Sequence, residues 1–595
     1  MTADPFTLEI ISESLRASAE EMFVTLRRAS QSPIIYEVLD CACGLTSTVG
    51  DLVAEAEGVP GFIGCLSFGV RSILRRFGTA EICPGDVFVT NDPYGGGGTH
   101  LSDVTLVAPI FHDGQIVAFA ANKAHWTEVG GASAGSWTTD ATEIYQEGLQ
   151  FPPMHIYREG RPIPALIDLI SANVRLPAMT LGDLYAGVAS LRAGERGVVE
   201  VCRKYGLAAL RDAVSTIREH GRQVAWSYLG QLPKGTYTAE DWIDDDGLTD
   251  CPLRVCVRVT LDEDGFEADF SGAPPQTAGP INTTRTGLEV ACREIFKAIV
   301  APHEPSNEGI FDPLRVVCPD GTIFTAQRPA SVSTYWETGA YVGDLIWQAL
   351  YPVVSDRLPV GHSLSICGTI ISGVDAERGQ FVLVEPQAGG WGATTNRDGE
   401  SGLVVAGDGE TYVLPVEVCE QRYPLLVEQY RFNTEPAGAG QFRGGFGLVR
   451  DYRVLCERAY LTATFGRHRF LPWGHGGGSK GGANAVEVYP QGAHAPVLRR
   501  GKLARYALRR GDVARLISGV GGGYGDPLTR DARLVLDDVR NGFIQPEQAR
   551  DLYGVALTED GQSVDVNATS GIRQTRRIAS RVKTDRHAHL PVTSI

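Results

Sequence analysis

The 595 residues carry 54 Lys plus Arg against 71 Asp plus Glu, a formal charge of −17, which argues against a basic nucleic-acid-binding face. Hydrophobic residues at 43% and charged residues at 21% are the proportions of a folded globular protein, not of a disordered or fibrous one. No apolar run approaches a membrane span, and the start, MTADPFTLEIISESL, lacks the basic region and apolar core of a signal peptide. The expectation is a cytoplasmic protein whose 12 cysteines are mostly buried free thiols.

In chain order, Asp4-Pro5 reads as an N-cap followed by proline at the first helical position. Leu8, Ile11, Leu15, Ala19, Met22 and Leu26 then share one helical face as far as about Ala29. A second amphipathic helix is predicted over 62–77. Three buried strands follow at 86–90, 104–111 and 115–122, each bounded by turn residues. Residues 181–229 read as mostly helical, 253–272 as a hairpin around DEDG, and 287–302 as a helix. The stretch 310–520 reads as short strands and glycine-rich turns, and a helical pair at 528–552 precedes a basic, flexible tail over 571–589. The fold class expected is α+β and multi-domain: mixed sheets, amphipathic helices, glycine-rich turns and a metal site at strand ends. Boundaries are drawn near 235 and 525, giving an N-terminal metal-binding domain (1–235), a β-rich central domain (236–525) and a C-terminal helical segment with the tail (526–595).

The stretch TNDPYGGGGTHLSD (90–103) sets four glycines ahead of a histidine and an aspartate. Glycine runs give up packing and cost backbone entropy, so the spot requires an unusual backbone path or very close access. His100 and Asp103 sit on a loop returning into a sheet, and His125 ends the strand after it. With an earlier aspartate, Asp40, they make a mixed imidazole and carboxylate set suited to zinc, manganese or iron. Spacing alone does not single out Asp40. Glu143 and Glu147 lie one helical turn apart shortly after His125, and either fits a solvated helix face or a group supporting the metal site.

Gly131-Ala132-Ser133-Ala134-Gly135 matches G-x-S-x-G, but it has loop on both sides where a nucleophile elbow needs a strand and a helix. The glycine-rich stretches at 473–482 and 519–527 lack the Gly-Lys-Ser/Thr ending of a phosphate loop, so no nucleotide site is expected in this chain.

The chain resembles the hydantoinase B/oxoprolinase family through PGDVFVTNDPYGGGGTHLSDV (84–104), HWTEVGG (125–131), EIYQEGLQFPP (143–153), DFSGAPPQTAGPINTT (269–284), PVEVCEQRYPLLVEQYRF (415–432), AGQFRGGFG (439–447), PWGHGGGSKGG (472–482) and GGGYGDPLTRDARLVLDDV (521–539). The resemblance implies a divalent metal, zinc ahead of manganese or iron, on His100, Asp103 and His125, with Asp40 of the Glu37-Val38-Leu39-Asp40 segment completing the set. It also implies a hetero-oligomer with a hydantoinase A-type partner that binds ATP and magnesium. The activity implied is ATP-dependent hydrolysis of a cyclic amide of hydantoin, oxoproline or lactam type, the alternative being a subunit of an acetone- or acetophenone-type ketone carboxylase. Glu147 is the expected proton-handling or ligand-orienting group. Many members read His-His-x-Asp-Ile-Gly-Gly where this chain has His125-Trp126-Thr127-Glu128-Val129-Gly130-Gly131. That departure is expected to alter the pocket beside the metal and hence the substrate.

Overall fold

Asp4 caps the first helix, Pro5–Ala29: its Oδ1 accepts from the amides of Phe6 and Thr7 at 3.1 Å each, satisfying two of the donors a helix start leaves free. Ile11, Leu15, Ala19, Met22 and Leu26 are buried along one stripe, which packs on helix Pro177–Tyr205. Two glycines of that helix allow the close approach. A Cβ on Gly194 would lie 2.4 Å from the Met22 sulfur, and one on Gly197 2.2 Å from Ser18 Oγ. The structure, a computed structural model, describes residues 4–409 and 411–588, with side chains as far as 578.

Seven strands form the sheet that positions the site: β1 (Cys41–Thr46), β2 (Leu52–Glu55), β3 (Val87–Thr90), β4 (Asp103–His112), β5 (Gln115–His125), β6 (Met154–Arg158) and β7 (Arg161–Pro162). Their order is β2-β1-β5-β4-β3-β6-β7. β1, β3, β4 and most of β5 are buried on both faces, so they read as continuous apolar runs instead of alternating ones. Helix Pro60–Phe77 covers one side, the expected 62–77 helix begun two residues earlier.

The helical region expected over 181–229 is two helices, Pro177–Tyr205 and Leu207–Leu229. The hairpin is Leu253–Asp262 with Gly265–Asp269, and the helix after it is Arg285–Val300. Between 310 and 520 the short strands and turns are present, but so are helix Trp336–Val354 and a shorter one, Val416–Arg422. Trp336–Val354 escapes sequence reading because Tyr341, Val342, Leu345, Ile346, Trp347, Ala349 and Leu350 bury nearly all of its circumference, leaving no polar stripe to give the helical period. Ala532–Arg540 and Pro546–Tyr553 form the helical pair. Where a flexible tail was expected, the structure has a helix, Val566–Ala588, whose Arg573 donates to the backbone oxygens of Tyr553 and Arg530. Residue 589, the last of the expected tail, lies outside the described residues.

The largest buried cluster runs from Ile11 to Leu516 and draws on both the seven-stranded sheet and the later strands. A second joins Ala225 to Trp473. The three-part division of the chain is kept as a proposal about chain order, its first two parts sharing a core. All 12 cysteines are free, most of them buried. Among the described residues no helix is long and apolar enough to cross a membrane.

Candidate metal centre

Strand register brings the site together. In the β4–β5 pair Asp103 faces His125, and in the β1–β5 pair Cys41 faces Ala124. Asp40, one residue before β1, therefore comes beside His125, whose amide donates to the Asp40 backbone oxygen at 3.1 Å. Three neighbouring strand ends thus present Asp40, His125 and Asp103 in a row. His100 arrives from the glycine loop.

That loop explains its glycines. Gly97 has φ +78°, and a Cβ there would lie 2.5 Å from the Gly69 amide nitrogen on helix Pro60–Phe77. A Cβ on Gly98 would lie 2.4 Å from the Asn91 carbonyl oxygen, and one on Gly96 2.4 Å from Thr90 Oγ1. The run is needed for close approach to neighbouring chain, and this seats His100 beside Asp103. Asn91 pins the loop's far end: its side chain donates to the Leu101 and Leu149 oxygens and accepts from the Phe151 amide.

His100 Nε2 stands 2.9 Å, and His125 Nδ1 3.2 Å, from Asp103 Oδ1. Asp40 Oδ2 lies 3.9 Å from His125 Nδ1. His100, Asp103 and His125 are each under 5% exposed, and their ligand atoms all lie within 4.8 Å of one another. Donor atoms on one zinc-like ion, each about 2.1 Å from it, stand about 3–3.5 Å apart, so the trio's spacing fits an ion. Burial holds the His125 imidazole below its ordinary pKa, which leaves it a neutral ligand. Burial would raise the Asp103 carboxyl, but His100, His125 and Lys123 hold it well below the usual carboxylate range. His125 Nε2, the ring nitrogen that does not bond Asp103, is buried without a hydrogen-bond partner. Asp40, 21% exposed, is pushed well up by burial and by Asp408 and Asp103, and it stands at the edge of the trio.

Four supporting residues carried no sequence signal. Thr99 Oγ1 donates to Asp103 Oδ2 at 2.5 Å, and Tyr335 Oη to the same oxygen at 3.4 Å. Lys123, fully buried, donates to the Asp103 backbone oxygen at 3.1 Å. Asp408 arrives on a short 3-10 turn, Ala406–Asp408, and burial together with Asp103 pushes its carboxyl up to about 7. Thr99 and Tyr335, which bond Asp103, line a cavity of about 980 Å³ together with Asp408, at the upper end of small-molecule site volumes.

Glu147 is buried, but its contacts go elsewhere: Oε1 accepts from Ser331 Oγ at 2.5 Å and the Val332 amide at 2.8 Å. Burial pushes its carboxyl up to about 8. Tyr335, on the same turn, tilts across His100 with ring centroids 5.4 Å apart. Glu143 is exposed and caps a 3-10 turn, so the two glutamates do not share a helix face. Ser133 accepts from Arg505 at 2.7 Å within a run of turns, without the strand and helix of a nucleophile elbow. The Trp126 and Glu128 departures have these contacts. Trp126 packs edge-on to Phe151 in the core. Glu128 holds Arg175 and the amides of Gly130 and Gly135, and neither residue lines the cavity.

A family model described as hydantoinase B/oxoprolinase matches residues 4–527. An uncharacterised protein of Methanocaldococcus jannaschii is 34% identical over 576 residues, covering 96% of this chain and 100% of that one. Caprolactamase subunit beta of Pseudomonas jessenii is 29% identical over 602 residues, covering 96% and 99%. The crystal structure of the ATP-dependent caprolactamase from the same organism matches with a TM-score of 0.89 at 26% identity, covering 96% of this chain and 100% of that one. A nucleotide-free acetone carboxylase shares the fold, with a TM-score of 0.90 at 20% identity over 99% of this chain and 84% of that one. The chain belongs to the hydantoinase B/oxoprolinase family.

Proposed function

We propose that this chain is the ring-opening subunit of an ATP-dependent cyclic-amide hydrolase, working in a hetero-oligomer with a hydantoinase A-type subunit that binds ATP and magnesium. The observation that carries the reading is the buried His100–Asp103–His125 trio, next to a cavity of substrate size lined by Thr99 and Tyr335, both of which bond Asp103. His100, Asp103 and His125, with Asp40 beside them, would hold a divalent ion, zinc ahead of manganese or iron. Bound there, the ion would supply Lewis acidity, lowering the pKa of water toward neutrality and polarising a carbonyl.

The chain's own residues set up the rest. An unstrained amide is a poor electrophile, and phosphorylation of its carbonyl oxygen in the partner would give it a leaving group. Asp103 binds both histidines through one oxygen while Thr99 and Tyr335 hold the other, so the carboxylate cannot rotate away. Asp408, with its carboxyl near neutrality, suits a group that takes a proton from water and returns one to a departing amine. Glu147 acts as a positioning residue through the turn that carries Tyr335.

The test is to isolate the tagged chain with its natural partner and supply ATP with hydantoin, 5-oxoproline and ε-caprolactam. Ring opening coupled to ADP release, lost without the partner, is expected. Bicarbonate-dependent consumption of acetone or acetophenone instead would overturn the hydrolase reading in favour of a carboxylase.

A further inference from the structure

The cavity lined by Thr99, Tyr335 and Asp408 has a second wall, built around His362. His362 is 2% exposed, and neither of its ring nitrogens has a hydrogen-bond partner. Trp347 stacks on it with centroids 5.3 Å apart, Trp391 tilts across it at 5.1 Å, and the two indoles lie 6.1 Å from each other. All three rings line the cavity.

The wall is built to stay in place. Trp347 Nε1 donates to the Pro359 oxygen at 2.6 Å and Trp391 Nε1 to the Val404 oxygen at 2.8 Å. On either side of His362, the Gly361 amide donates to the Trp473 oxygen and the Ser363 amide to the Gly390 oxygen, both at 3.0 Å. A Cβ on Gly361 would lie 2.6 Å from the Trp473 nitrogen, so the segment packs too closely for any other residue. A buried polar ring left unpaired in so fixed a setting calls for an occupant. Burial, reinforced by Arg467, holds the imidazole neutral, its pKa down at about 3. A neutral imidazole offers one N–H donor and one lone pair on divergent edges of the ring, so one or the other can meet an amide's carbonyl or its N–H.

This wall is not the trio's own surroundings. Trp336 meets His100 edge-on at 5.2 Å, and Trp347 stands three turns further along the same helix, about 16 Å away. A single small ring cannot touch both places.

We infer that Trp347, His362 and Trp391 form a second binding site in the cavity for a flat, neutral amide, which lies against the indoles and hydrogen-bonds to His362. The site requires neither the ion nor the ATP-dependent reaction, so it goes beyond the functional reading and stands or falls separately from it.

The experiment titrates hydantoin, 2-pyrrolidone and benzamide into the full chain with its partner, after chelation, and follows indole fluorescence. At least one probe is expected to quench the wild-type emission, and the quench is expected to shrink sharply in Trp391→Phe. His362→Leu should weaken binding at least tenfold, while His362→Gln, which keeps a donor and an acceptor, should restore most of it. No quench by any probe, or a quench unchanged in Trp391→Phe, would overturn the site whether or not His362→Leu folds. Equal binding by a folded His362→Leu would do the same.

Discussion

Glu147→Gln removes a carboxyl that is 1% exposed and pushed up to about 8 by burial. In the unfolded chain that carboxyl releases its proton near its ordinary value of 4.5, while the folded protein keeps it to about 8. Its contribution to stability is therefore full below about pH 4.5 and is lost as pH rises through about 8. Each pH unit in that window costs the folded state about 1.4 kcal/mol, with a ceiling of about 5 kcal/mol across it. Glutamine is isosteric and cannot titrate. Its Oε1 keeps the bonds from Ser331 and Val332, and its amide nitrogen replaces Oε2, which has no partner, an offset that does not vary with pH. Urea unfolding followed by tryptophan fluorescence at intervals from pH 4.5 to 8.5 reads the difference. The wild type is expected to lose several kcal/mol relative to the variant as pH rises. Parallel curves would refute the reasoning, because they would mean the buried carboxyl already ionises as it does in water.

Three further substitutions test the architecture of the centre. Gly97→Ala places a methyl group 2.5 Å from the Gly69 nitrogen at φ +78°, and thermal denaturation should show a loss of roughly 2–4 kcal/mol. Gly95→Ala, whose nearest contact would be 3.7 Å away, should leave stability within about 0.5 kcal/mol of wild type. Thr99→Val removes the hydroxyl that aims Asp103, and competition with a chelator should show metal affinity lowered about 10- to 100-fold.

The parts of the fold that sequence reveals are those where one local signal decides. Asp4-Pro5 fixes a helix start by capping chemistry, and the strands around the site show as apolar runs between turns. The candidate site is legible for the same reason: β4 and β5 join through a short turn, so Asp103 and His125 come opposite each other once the hairpin is recognised. Asp40, Asp408 and Tyr335 depend on contacts hundreds of residues apart or on an unrelated strand, and no periodicity carries them. Helix Trp336–Val354 was hidden because burial on all sides erases amphipathicity. Trp126 and Glu128 show that adjacency to His125 in sequence does not fix where a side chain points. One points into the core and the other clamps backbone amides.

The most direct test of the account is metal analysis of the purified chain beside a His100→Ala/His125→Ala variant, with circular dichroism to verify folding. The account predicts about one divalent ion per wild-type chain and its loss from the folded variant. Equal metal content in the two proteins would contradict it.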